Sequence, residues 1–333
     1  MRKTFTPRKK LRQIFSREFF DDATFPVRAR SGSALFLARL DGSRELMQWP
    51  HSITNDRMRS AKSQPYIHGS KPKEQRRLSN LNGLLNQACL RELALTGGEA
   101  VLDLGSGLGQ FTRDMARVAG PRGRVIGIER DKRQIVEARR QAREAREVDL
   151  VEWRHGDVLE LPLKKSEWRQ FDVVHARFLL EHVSQPEQVV RQMVRVVRRG
   201  GRIALADDDH QVLRLWPEPP GFVELWHAYI RAFEHLRCDP FVGRRLVSLL
   251  RDAGAKPRRN HWIFFGSCAG APEFPDFVRN AIGVIETARE VITGPLGFGE
   301  KQFDRVLRDL RRWGHRSDAA IWYGLCWAEG VRD

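Results

Sequence analysis

The stretch from Ala100 to Asp209 constrains this chain most. Short apolar runs, VLDLG, RVIGIE, FDVVHAR and RIALADDD, alternate there with QFTRDMARVAG, IVEARRQAREA and PEQVVRQMVRVV, which carry a helical period. Strands apolar at nearly every position must be covered on both faces, and the intervening helices are the covering elements. DLVEWRHGD adds a strand before FDVVHAR. After Asp209, helices are expected around 222–236, 242–253, 272–290 and 302–313, interleaved with strand candidates at 261–267 and 319–328 that complete the same sheet. The reading is an α/β fold: a doubly wound, mostly parallel seven-stranded sheet, Rossmann-like, with a helical insertion or lid over about 210–315. Upstream, Leu78, Leu81, Leu85 and Cys89 share one helical face, and Gly97–Gly98 ends that segment.

The turn VLDLGSGLGQ, residues 101–110, joins an apolar strand to a helix. Gly105, Gly107 and Gly109 let the backbone turn tightly and approach a ligand. A dinucleotide fingerprint would read G-x-G-x-x-G, but the third glycine comes one residue early and Gln110 takes its place. Asp103 would also repel a diphosphate. A ligand with a cationic amino group and sulfonium, a carboxylate and ribose hydroxyls suits this turn better. The helix N-terminus favours its carboxylate. Glu129, at the end of the next strand, offers two oxygens to a ribose, and Asp157 after the third strand offers an acceptor to adenine.

In these segments the chain resembles the class I S-adenosylmethionine-dependent methyltransferase superfamily, most closely its small-molecule branch of quinone and natural-product enzymes. VLDLGSGLG resembles the first motif, Glu129 the acid of the second strand, and HGDVLELP with Asp157 the adenine-side motif. FDVVHARFLLEHVSQP at 171–186 resembles the fourth strand with its following segment, and RRGGRIALADDD at 198–209 the fifth. The resemblance runs from about residue 65 onward. It implies S-adenosyl-L-methionine as cofactor, held by Asp103, Gly105, Ser106, Gly107, Gly109, Gln110, Glu129, Arg130, Asp157, Val158 and Arg177. An N-terminal cap, YIHGSKPKEQRRL, adds Gln75 and Arg77 near the methionine carboxylate.

The implied activity is methyl transfer to a small, apolar or aromatic acceptor. His182 suits a general base, and Tyr66 or His68 could close over the sulfonium, an aromatic face favouring positive charge. Glu181 reads as a surface acid. Asp207, Asp208 and Asp209 stand on an extended strand whose side chains alternate, so they are not expected to converge on a metal. Trp216, Trp226, Tyr229, Phe233 and Phe241 are divided between core and an apolar acceptor cleft. An RNA or protein methyltransferase and a non-catalytic cofactor-binding partner are the competing readings.

Composition adds limits. Lys and Arg outnumber Asp and Glu by 58 to 42, a formal charge of +16, of which residues 1–60 hold 13 basic against 6 acidic groups. So diffuse an excess makes a nucleic-acid partner conceivable but not preferred. Residues 1–60 form an N-terminal extension, and 61–333 the methyltransferase domain. Cys89, Cys238, Cys268 and Cys326 form no C-x-x-C pair and suit a reducing, cytoplasmic setting. No apolar run approaches the roughly 20 residues of a membrane span.

Overall fold

The computed structural model describes residues 67–69 and 71–333; Tyr66 and the expected extension over 1–60 lie outside them. Helix α1 (Pro72–Leu93) leads into β1 (Ala100–Leu104), α2 (Gln110–Ala119), β2 (Arg124–Glu129), α3 (Lys132–Glu144) and β3 (Glu152–His155). Next come β4 (Phe171–Arg177), α4 (Pro186–Val196), β5 (Val197–Asp207), β6 (Arg214–Trp216), α5 (Phe222–His235) and α6 (Leu246–Asp252). The chain closes with β7 (Lys256–Phe264), β8 (Ser267–Cys268), α7 (Phe274–Thr287), α8 (Arg289–Thr293), α9 (Glu300–Trp313), β9 (Ala320–Trp322) and β10 (Gly324–Val331).

Seven strands form one sheet in the order β3-β2-β1-β4-β5-β10-β7. The first five run parallel, and β10 is antiparallel to both neighbours. The strands are two-sided, as their apolar sequences require. Val101, Val125 and Val173 enter the core on one face with Phe111 and Met115 of α2, while Leu102, Ile126 and Val174 enter the other with Val189 and Met193 of α4. The order reverses between β1 and β4, the switch point at which open α/β sheets bind ligands beyond their strand ends.

The two late strand candidates do complete the sheet, but only in part. Each divides: the end of the first, β8, and the start of the second, β9, leave to form a small antiparallel sheet with β6, in the order β6-β9-β8. The break in the first falls at Gly266, where a Cβ would lie 2.4 Å from the Ile321 carbonyl oxygen. A run of aromatic and β-branched residues does not reveal such a crossing, since both halves have strand character. The inserted helices do not stand apart as a lid: α5, α7 and α9 share one apolar core with α1 and the sheet.

Candidate active site

Beyond the ends of β1, β2 and β4 lies a cleft of about 690 Å³. Gly105, Gly107 and Gly109 all have positive φ, at 70°, 52° and 69°. Gly109 is also hemmed in sterically, because a Cβ there would sit 2.1 Å from the Trp153 ring. Gly109→Ala is therefore expected to lower thermal stability by about 1–3 kcal/mol through strain and overpacking. A thermal melt within experimental error of the parent would refute this account of the turn.

Asp103 is buried beneath the turn. Its Oδ2 accepts from the Thr112 hydroxyl at 2.6 Å, and its Oδ1 is 2.8 Å from His175 Nδ1. Both oxygens thus tie β1 to α2 and β4, which makes Asp103 an organiser of the cleft floor. Glu129 accepts from the Gly107 N–H at 2.9 Å and from the Asp131 N–H at 2.8 Å, and burial pushes its pKa up despite these bonds. Asp157 is exposed at the rim, one oxygen taken by the Leu159 N–H.

Arg177, at the end of β4, donates through Nη2 to Asn82 and Asn86, both at 2.8 Å, and stacks 4.3 Å over Phe111. Its Nη1 is buried with no hydrogen-bond partner among the described residues, as is the Ser106 hydroxyl. Orphaned donors of this kind are costly unless a ligand satisfies them. A carboxylate is the natural partner of that guanidinium. The donor set therefore fits S-adenosylmethionine: Arg177 for the carboxylate, Glu129 for the ribose, and Asp157 with the Val158 segment toward adenine.

Gly105, Ser106, Gly107, Arg130 and Val158 also line the cleft. Four expected cofactor residues do not line it, the first being Gly109, which is packed against Trp153. Gln110 turns back to α1, bonding Asn82 and Ser79. Gln75 is half-buried on α1 and lines neither this cleft nor the chamber beside it. Arg77 forms a paired contact with Glu74, at 2.8 and 2.6 Å, and donates to Asn280 at 2.7 Å. That carboxylate, three residues back on α1, holds the guanidinium in the chamber wall, so Arg77 is corrected from cofactor ligand to chamber residue.

This chamber, about 90 Å³, shares Leu78, Phe178 and His182 with the cleft. Its walls are mainly apolar, with Leu81, Leu85, Phe265, Phe277, Ile321 and Leu325 among them. Of the aromatics weighed earlier, Trp226 and Tyr229 line it. Phe233 stacks on His182 with ring centroids 5.6 Å apart, whereas Trp216 is exposed. His68 and His182 meet edge to face at 5.7 Å, and His68 is anchored by Thr287 at 2.6 Å. Burial holds both imidazoles neutral, pushing His182 down to about 3.

A polar chain crosses this apolar wall. His182 Nε2 lies 3.3 Å from Glu181, Glu181 lies 2.9 Å from His210 Nε2, and His210 Nδ1 lies 3.3 Å from the Tyr323 hydroxyl. Tyr323 in turn bonds Asp208. Glu181 is 3% exposed, not the surface acid its sequence suggests, and burial raises its pKa to about 8. It joins the chain as a neutral carboxyl donating to His210, with His182 Nε2 beside its other oxygen and the His210 tautomer assigned by that bond. The only hint in the sequence was composition: Glu181 and His210 come from separate loops, after β4 and β5.

The three aspartates do diverge. Asp207 accepts from the Leu179 and Leu180 N–H groups, Asp208 meets the chamber, and Asp209 pairs with Arg244. The donor atoms of Glu181, Asp208 and His210, in contrast, lie within 4.8 Å of one another.

Residues 95–229 match a family described as a methyltransferase domain. The chain is 33% identical over 159 residues to an uncharacterised 37.1 kDa protein in transposon TN4556 of Streptomyces fradiae, covering 47% of this chain and 43% of that protein. It is 33% identical over 134 residues to a demethylmenaquinone methyltransferase of Listeria welshimeri, covering 40% and 52%. It is 32% identical over 127 residues to a 2-phytyl-1,4-naphtoquinone methyltransferase of Synechococcus elongatus, covering 38% and 53%. The chain thus spans about half the length of these curated relatives. The segment that carries the glycine turn, Glu129 and the five parallel strands of the large sheet is thus the one that matches a methyltransferase domain.

Proposed function

We propose that the chain transfers a methyl group from S-adenosylmethionine to a small, largely apolar or aromatic acceptor. The observation that carries this reading is that the cofactor cleft and an apolar chamber lie side by side, with Leu78, Phe178 and His182 lining both. The cofactor supplies an electrophilic methyl group on a sulfonium. What the protein must add is alignment of the acceptor, exclusion of water and a place for the acceptor's proton. Leu81, Leu85, Phe265 and Phe277 exclude water. His182, neutral at the shared wall, takes the proton from an acceptor hydroxyl or acidic C–H. Glu181 lies 3.3 Å from Nε2 and keeps a carboxyl beside the ring.

The quinone names of two relatives support a carbon-rich ring as the acceptor. The four cysteines are free thiols, which suits the cytoplasm as the site of action. Incubation with methyl-labelled S-adenosylmethionine and fractionated source extract is expected to place label in small molecules that partition into organic solvent. Label confined to RNA or protein would overturn the acceptor class. Cofactor binding with no transfer to any fraction would point to the non-catalytic role.

A further inference from the structure

The small sheet has two unlike faces. Its inner face contributes Ile321 to the chamber, alongside Leu213, Phe265 and Tyr323 from the adjoining segments. Its outer face carries aromatics in the open: Trp216 is 66% exposed and Trp322 44%. They are diagonal neighbours, since Trp216 pairs with Ala320 and Arg214 with Trp322, and directly opposed residues project to the same side. The edge strand β7 extends this surface with Trp262, 64% exposed, and Phe264, 65% exposed. Trp262 packs over Gly324 and Phe264 over Gly266, so these rings flank the strand that leads out of Trp322. Among the described residues, every exposed large aromatic belongs to this face.

Cations border it. Arg214 stands opposite Trp322, and Arg258 is exposed further along β7, with Glu218 the acid beside Trp216. Trp-rich apolar surface bordered by Arg is the composition that settles at the boundary between headgroups and acyl chains. No helix among the described residues is long and apolar enough to cross a membrane, so this is a question of docking on a surface.

We infer that this aromatic face docks on an anionic lipid bilayer. Arg214 and Arg258 complement anionic headgroups, and the four rings supply the apolar insertion. Docking would bring the lipid phase to the outer side of the strands whose inner side walls the chamber, the shortest route for a carbon-rich acceptor. Only that purpose rests on the apolar-acceptor reading; the binding itself rests on the face.

The test uses the full chain with vesicles of phosphatidylcholine, with and without phosphatidylglycerol. Flotation is expected to recover the protein with the anionic vesicles, and brominated lipid is expected to quench its tryptophan emission. The combined variant Trp262→Ser, Phe264→Ser and Trp322→Ser should weaken vesicle binding by about tenfold or more. Val136→Ser, at an exposed position on α3, should leave it unchanged. Thermal melts establish that the variants fold, and bromolipid quenching of the parent stands without any variant. Absence of flotation with either vesicle overturns the inference. So does binding without quenching that the aromatic variant retains, since charge elsewhere then carries it. Self-association abolished by the variant, with no vesicle binding, would instead assign the face to a second copy. Labelling of a water-soluble acceptor would remove the proposed purpose and leave the vesicle result standing.

Discussion

Glu129→Ala is expected to weaken S-adenosylmethionine binding by about ten- to a hundredfold, the loss of one charge-assisted hydrogen bond or more. The carboxylate ends β2 at the cleft, where it already accepts from Gly107 and Asp131. Removing it takes away the carboxylate proposed to accept from the ribose and loosens the turn, which it holds through Gly107. The strand itself is held by ladder bonds on both sides, so the unliganded protein should melt nearly as the parent does. The affinity also acquires a pH signature. Burial raises the pKa of Glu129, and a protonated carboxyl loses an acceptor, so binding by the parent should begin to fall above the ordinary glutamate range as pH is lowered. Calorimetric titration with S-adenosylmethionine across pH reads both effects. An alanine variant within about a factor of two of the parent would remove Glu129 from the cofactor site.

Why Glu129 was legible while Glu181 was not is a matter of distance along the chain. The glycine turn, Glu129 and Asp157 each follow a parallel strand, and strands laid side by side bring their ends to one edge. Periodicity alone therefore locates that edge, and the residues just past each strand inherit the site. The chamber obeys no such rule. It forms where α1, α5, α7 and the small sheet meet, and its polar chain links residues 181, 182, 208, 210 and 323 through loops whose paths no period describes. Arg77 shows the same limit in reverse. Its position on α1 was visible, but Glu74 one turn earlier and Asn280 on α7 fix where its guanidinium goes. The divided strands failed for a third reason: Gly266 and Tyr323 permit a crossing into another sheet that strand propensity cannot distinguish from continuation.

Glu181→Gln is expected to flatten the alkaline side of the stability profile while lowering turnover. In the folded protein the carboxyl keeps its proton up to about pH 8, whereas an unfolded glutamate releases it near 4.5. Between those values the folded state binds more protons, so this group's contribution is complete below about 4.5 and is lost as pH rises through about 8. The size is on the order of a few kcal/mol at most, because His210 shares the proton and the raised carboxyls Asp207 and Asp208 add slopes of the same sign. His68 and His182, held neutral by burial, act oppositely and stabilise as pH rises toward their unfolded value. The parent should therefore melt highest at intermediate pH, and Glu181→Gln should lose less on the alkaline limb by several degrees. Glutamine cannot relay a proton, so kcat should fall by about ten- to a hundredfold with cofactor affinity unchanged. A variant with the parent's pH profile and kcat would sever Glu181 from the chamber's proton chain, whereas one that also lost cofactor binding would show that the chain supports the cleft rather than the acceptor.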